Sequence, residues 1–334
     1  MNAMRARLRL LRMLGVFGVL VALGVGCSSS QTPKLEPLKL GDGRTVAAET
    51  LERGRDVYAY YCMSCHGERG DGQGPAAVGM RPPPRSFRQG LFKFGGVAAG
   101  ELPTDAALKR TVRRGLHGTP MLSWDVPEAD AEAVVQYLKT FSPRWQQEAP
   151  GQPLEVPADP WKGREAEAVE RGKAVYHVAG KGHAGCSGCH ISYLPKPELE
   201  ALTEQVTGRK VDLSKADPYT QLARDSDYAV AVDDKGEPSQ MAKVLPPDFL
   251  MHRLRTVWPT DERVEGAEYT LEQQREDLYR VIAGGVGGAA MPTWKGAIPD
   301  ENLWALAHYV QTLVNQRDTR EGRALKQRLL NPAK

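Results

Sequence analysis

The pentapeptide Cys62-Met63-Ser64-Cys65-His66 occurs a second time as Cys186-Ser187-Gly188-Cys189-His190, and its surroundings recur with it. Glu52-Arg53-Gly54-Arg55-Asp56-Val57-Tyr58 returns as Glu170-Arg171-Gly172-Lys173-Ala174-Val175-Tyr176. Leu108 to Met121 aligns without a gap to Leu278 to Met291, and each methionine is followed three places later by a tryptophan, Trp124 and Trp294. Gln136-Tyr137-Leu138-Lys139-Thr140-Phe141 matches His308-Tyr309-Val310-Gln311-Thr312-Leu313. Landmarks in one shared order define an internal duplication, so the chain must fold as two versions of one unit. A length of 334 residues agrees with two domains.

The repeats predict domains at 49–142 and 167–315, joined by a Pro-rich linker over 143–166 (Pro143, Pro150, Pro153, Pro157). Apolar spacing predicts helices over 51–61, 131–141, 168–176 and 301–313, while strand-like alternation is scarce. The expected fold is therefore all-α. Gly70, Gly72, Gly74 and Pro82 to Pro84 mark an irregular loop. The second repeat carries an acidic insertion at about 195–244, expected to be a solvated surface loop, with partner docking as the alternative. A basic tail follows at 316–334, where Arg317, Arg320, Arg323, Lys326 and Arg328 could extend the last helix.

Cys-x-x-Cys-His is the attachment signature of c-type haem. Two thiols bond the porphyrin vinyl groups, and the next histidine is pinned beneath the iron. Zinc would need cysteines from two repeats 121 positions apart, and a redox dithiol would not need the histidine. The chain thus calls for two haem c groups, attached at Cys62 and Cys65 and at Cys186 and Cys189, with His66 and His190 as axial ligands. Met121 and Met291 are the candidate sixth ligands, because both lie six residues after a glycine and three before a tryptophan. A lone methionine is more often a core filler, and Met80, Met241 and Met251, which lack such duplication, read as core or surface residues. His117 is a rival ligand, but the second repeat has Gly287 there.

The fifth cysteine has another role. Arg5, Arg7, Arg9 and Arg12 precede an uncharged apolar run from Met13 to Gly26, then Cys27 and three serines. That run is short for a membrane span of about 20 residues and suits a signal segment over 1–26. Small residues before Cys27 resemble a bacterial lipoprotein processing site, which would make Cys27 the lipid attachment point. An uncleaved anchor, or cleavage near Gly26 that leaves Cys27 a free thiol, is the alternative, and all three place the chain outside the cytoplasm, at the periplasm or cell exterior. Residues 27–48 are expected to be a flexible tether with a reach of about 25 Å. Loss of the four signal arginines would change the formal charge from +3 to −1, so nucleic-acid binding has no support.

Each repeat resembles a class I cytochrome c domain, and the pair resembles tandem dihaem cytochromes. The resemblance rests on Cys-His-Gly-Glu-Arg-Gly-Asp-Gly-Gln-Gly-Pro at 65–75 and on Ala290-Met291-Pro292-x-Trp294, and covers roughly 50–141 and 168–314. Leu122 departs from it by standing where proline is usual. It implies two tandem helical domains, each enclosing one covalently attached haem, with helices crossing at Gly54 with Tyr137 and at Gly172 with Tyr309. It also implies Tyr58, Trp124, Tyr176 and Trp294 in the haem pockets, the indoles either beside the propionates or in plain core packing. His–Met ligation leaves no open position on iron, which implies single-electron transfer between redox protein donor and acceptor, without a small-molecule substrate. A cytochrome subunit of a larger membrane oxidoreductase or oxidase, and a dihaem peroxidase-type enzyme, are the alternatives.

Overall fold

The computed structural model describes residues 33–222, 224–233, 238–260 and 262–331. It divides into Met1–Lys34 and Leu35–Lys334, and the fold below is that of the second unit. The signal segment and Cys27 lie outside the described residues.

Two helix pairs organise the unit. In the first repeat, α1 (Ala48–Tyr61) runs into a single turn, α2 (Met63–His66), and after a long glycine-rich loop come α3 (Asp105–Arg114) and α4 (Glu128–Leu138). A short α5 (Arg144–Gln147) leads to the second repeat, with α6 (Glu165–His177), α7 (Lys196–Thr207), α8 (Leu271–Gly284) and α9 (Asp300–Asn315), then α10 (Arg320–Leu330). The principal packing pairs are α1 with α4 and α6 with α9. Both cross at the glycines the duplication singles out. A Cβ built on Gly54 would collide with the Ala133 carbonyl and lie 2.7 Å from Tyr137 Cβ. One on Gly172 would collide with the Ala305 carbonyl and lie 2.8 Å from Tyr309 Cβ. Only a residue without a side chain lets these backbones approach so closely.

The helices before the methionines also match. α3 starts on Thr104, whose hydroxyl accepts from Ala107 N at 3.2 Å. α8 starts on a capping box in which Thr270 and Gln273 bond reciprocally. Both stop at a glycine with positive φ, Gly115 at 68° and Gly285 at 74°.

Four segments are more ordered than composition predicts. Residues 35–48, expected as tether, carry the antiparallel pair β1 (Leu38–Lys39) and β2 (Thr45–Val46). Leu40 and Val46 are buried with Leu51, Leu102, Leu108, Val135 and Trp145, so apolar burial holds the segment against the first repeat. The linker 143–166 likewise packs onto the fold, with Trp145 and Trp161 buried and Leu154 N donating to Gly96 O at 2.8 Å. Two-residue pairs close β3 (Ala179–Gly180) on β4 (His183–Ala184). The insertion is not simply a solvated loop: it holds α7 and an antiparallel ribbon of β5 (Arg224–Val232) on β6 (Pro238–Val244). Its acids Asp212 and Asp217 accept from Ser214 N and Tyr219 N, making turns. A small pair, β7 (Arg263–Val264) with β8 (Ala267–Glu268), precedes α8. In the basic tail, α10 buries Leu329 in the second-repeat core and Lys326 pairs with Asp248. No helix among the described residues is long and apolar enough to cross a membrane.

Candidate haem site

The fold brings Cys62, Cys65, His66, Met121 and Trp124 into the wall of one cavity of about 190 Å³, lined mainly by apolar groups such as Val57, Phe87, Phe92, Val112 and Leu138. The local cause is the turn that contains the motif. His66 N donates to Cys62 O at 2.9 Å, and His190 N repeats that bond to Cys186 O at 2.9 Å. One helical turn therefore sets both thiols and the histidine of each motif together.

Both imidazoles are held by the same nitrogen. His66 Nδ1 lies 2.9 Å from Arg85 O, and His190 Nδ1 lies 3.1 Å from Pro247 O. A carbonyl partner fixes Nδ1–H and leaves Nε2 as the lone-pair donor. Phe87 stacks on His66 with centroids 4.5 Å apart, and Phe249 on His190 at 5.1 Å. Burial lowers the pKa of both histidines, favouring the neutral, ligating form. Beneath each motif a buried tyrosine ties down the next peptide: Tyr58 donates to Gly67 O at 2.7 Å and Tyr176 to Ile191 O at 3.0 Å.

The methionine loops close alike. Leu116 N donates to Met121 O at 2.7 Å, and Val286 N to Met291 O at 3.1 Å. Met291, Trp294 and Cys186 pack against the same second-repeat core. Trp124 stands edge-on to Tyr61 at 5.4 Å and is 39% exposed, more open than a plain core tryptophan. His117, the rival ligand, is absent from the cavity wall. Its N–H reaches Arg255 O at 2.8 Å and its ring lies 6.1 Å from that of Trp258, so it belongs to the contact between repeats.

A c-type haem fits this donor set. The cysteines form no disulfide, and burial pushes Cys62 and Cys186 up to about 12, unlike the lowered thiols of redox dithiols. Among the described residues no group of three His, Cys, Asp or Glu side chains could hold a bare metal ion. Part-buried free thiols, a histidine presenting Nε2 and a thioether in the wall of one mainly apolar cavity suit a covalently held porphyrin and its iron.

Residue-by-residue reading missed the basic members of this wall and misplaced one methionine. Met80, set aside as core or surface, lines the cavity with Arg85, Lys93 and Arg255. Burial, then Arg255 and Arg85, pull the Lys93 ammonium down to about 7. The stacking phenylalanines were detectable, because Pro84-x-x-Phe87 recurs as Pro246-x-x-Phe249.

Two comparisons with known proteins bear on the chain. Residues 49–138 match the family model described as cytochrome C oxidase, cbb3-type, subunit III. A chain of the Kuenenia stuttgartiensis reducing HAO-like protein complex Kustc0457/Kustc0458 is similar in structure, with TM-score 0.55 and 27% identity over 79% of this chain and 96% of that one. No curated protein matches significantly. The chain is thus a helical protein whose residues 49–138 match a c-type cytochrome domain, which supports a c-type cytochrome and suggests an electron-transfer haem protein.

Proposed function

We propose that the chain is an exported dihaem c-type cytochrome that passes single electrons between protein partners. Each repeat holds one haem, through Cys62 and Cys65 with His66 and Met121, and through Cys186 and Cys189 with His190 and Met291. Cys27 is its lipid anchor and keeps it at the outer face of a membrane. The observation that carries this reading is duplication at the level of hydrogen bonds. Both histidines use Nδ1 on a carbonyl, both tyrosines hold the following peptide, and both methionine loops close on the methionine carbonyl.

When bound, the haem supplies an iron that changes valence by one electron with little rearrangement. The chain holds the axial imidazole in one tautomer, excludes water with Phe87 and Phe249, and offers a thioether from a glycine-bounded loop. Membership in a larger redox assembly is the second reading, favoured by the oxidase-subunit family model and by the multi-protein complex of the structural neighbour.

Spectroscopy on purified full-length protein tests it. Two low-spin haems per chain, with the methionine-to-ferric-iron band and no response to peroxide, are expected. A high-spin haem that reacts with peroxide would overturn the carrier reading, and Met291→Ala should remove the band from one haem only.

A further inference from the structure

The contact between the repeats is assembled twice from equivalent parts. Lys93 and Arg255 hold the same register, six residues beyond the phenylalanine stacked on each histidine. The Lys93 carbonyl accepts from Gly287 N at 3.2 Å, and the Arg255 carbonyl accepts from His117 N at 2.8 Å. Gly287 and His117 are themselves equivalent, each four residues before its methionine. The glycines that follow continue the pattern. A Cβ on Gly118 would lie 2.9 Å from Arg253 Cβ, and one on Gly288 would lie 3.6 Å from Leu91 Cβ and 3.5 Å from the Arg85 guanidinium. Each methionine loop is therefore pressed against the segment that follows the other repeat's histidine-stacking phenylalanine.

The cavity shows what this exchange delivers. Its wall is otherwise formed by residues between Val57 and Leu138, and Arg255 is the one second-repeat residue in it among those described. Arg85 and Lys93 share that wall, and among the described residues that line it none is acidic. Three basic side chains thus stand in the wall of an otherwise mainly apolar cavity. Of the groups that fit there, a haem brings two propionate carboxylates that need such partners.

Resting on the reading that a haem is held at Cys62 and Cys65, we propose that Arg255 acts across the seam as a positioning and potential-setting residue for the first repeat's haem, facing its propionates together with Arg85 and Lys93. A cation there disfavours the ferric state, which carries one more positive charge, and so raises the potential. The first haem is then tuned by the second repeat, without Arg255 touching iron.

Spectroelectrochemical titration of the haem-loaded, full-length chain tests this, with the first haem assigned through Met121→His. Arg255→Gln is expected to shift the first haem's ferrous–ferric equilibrium toward ferric by about tenfold, roughly 59 mV for one electron. Arg255→Lys keeps the charge and is expected to restore most of it, which a purely structural role would not produce. Lys93→Gln, which leaves the seam's backbone bonds in place, is expected to move the same potential in the same direction. An unmoved first potential in Arg255→Gln, or a fall that lysine does not restore, overturns the proposal while two intact haems leave the carrier reading standing. Absence of haem at Cys62 and Cys65 in the parent chain would instead overturn the carrier reading itself.

Discussion

Lys139 offers the sharpest test of how the first repeat is held together. It follows α4 and is fully buried, with Nζ 2.6 Å from Asp105 Oδ1 and 2.7 Å from Gln136 Oε1, over the Trp145 ring at 5.3 Å. Burial pulls the ammonium below its usual value, while Asp105 is held below the carboxylate range because Lys139 and Gln136 outweigh its own burial. Lys139→Met keeps the volume and removes the charge. Breaking a buried pair from one side costs about 3–5 kcal/mol. Asp105 retains Gln136 at 3.0 Å and Arg44 at 3.3 Å, so the lower end applies, about 3 kcal/mol. Replacing both charges removes the orphaned partner, so Lys139→Met with Asp105→Asn should cost less than the sum of the singles by about 2 kcal/mol. Urea unfolding of the four proteins by far-ultraviolet circular dichroism gives the cycle. A single Lys139→Met within 0.5 kcal/mol of the parent, or strict additivity, would refute the reasoning.

Two further outcomes are expected. Gly54→Ala and Gly172→Ala should each lose about 1–3 kcal/mol through overpacking at the helix crossings, whereas Gly180→Ala, with open space around it, should be neutral; thermal melts decide, and a neutral Gly172→Ala would refute the crossing. His177 is held neutral by burial, its pKa lowered to about 4 from 6.5, with Nδ1 2.8 Å from Lys173 O and Nε2 accepting from Tyr193 N at 3.1 Å. The unfolded chain binds that proton first as acid is added, so stability falls from pH 6.5 toward 4 by about 3 kcal/mol and then levels off. His177→Gln should flatten that span in urea titrations, and an unchanged slope would count against it.

Sequence legibility followed periodicity and repetition. The helices on either side of Gly54 and Gly172 were readable because two copies repeat the same glycine and the same tyrosine, and crossing backbones explain both. His66 and His190 were readable because their chemistry requires adjacency to cysteines. Lys139 was not, since its partner Asp105, which also pairs with Arg44, is distant in the chain and only packing unites them. Residues 35–48 read as tether because their apolar groups are sparse; Leu40 and Val46 find burial only against Leu51, Leu102 and Trp145, which local composition does not reveal. Arg255 was invisible for the same reason, its place in the cavity wall being set by the fold of the other repeat.

The exchanged bonds between Lys93 and Gly287 and between Arg255 and His117 have the form of an isologous interface, one patch meeting its own copy about a twofold axis. Such a patch is what a symmetric dimer of a single-repeat ancestor would need, and the stretch from Pro143 to Ala166 turns that encounter into an intramolecular event. A short covalent join holds the partner at an effective concentration in the millimolar range, so the patch itself can be small and polar and still stay closed. Once joined, the two halves are released from identity: one repeat can carry His117 where the other has Gly287, and Lys93 where the other has Arg255, a divergence no true homodimer permits.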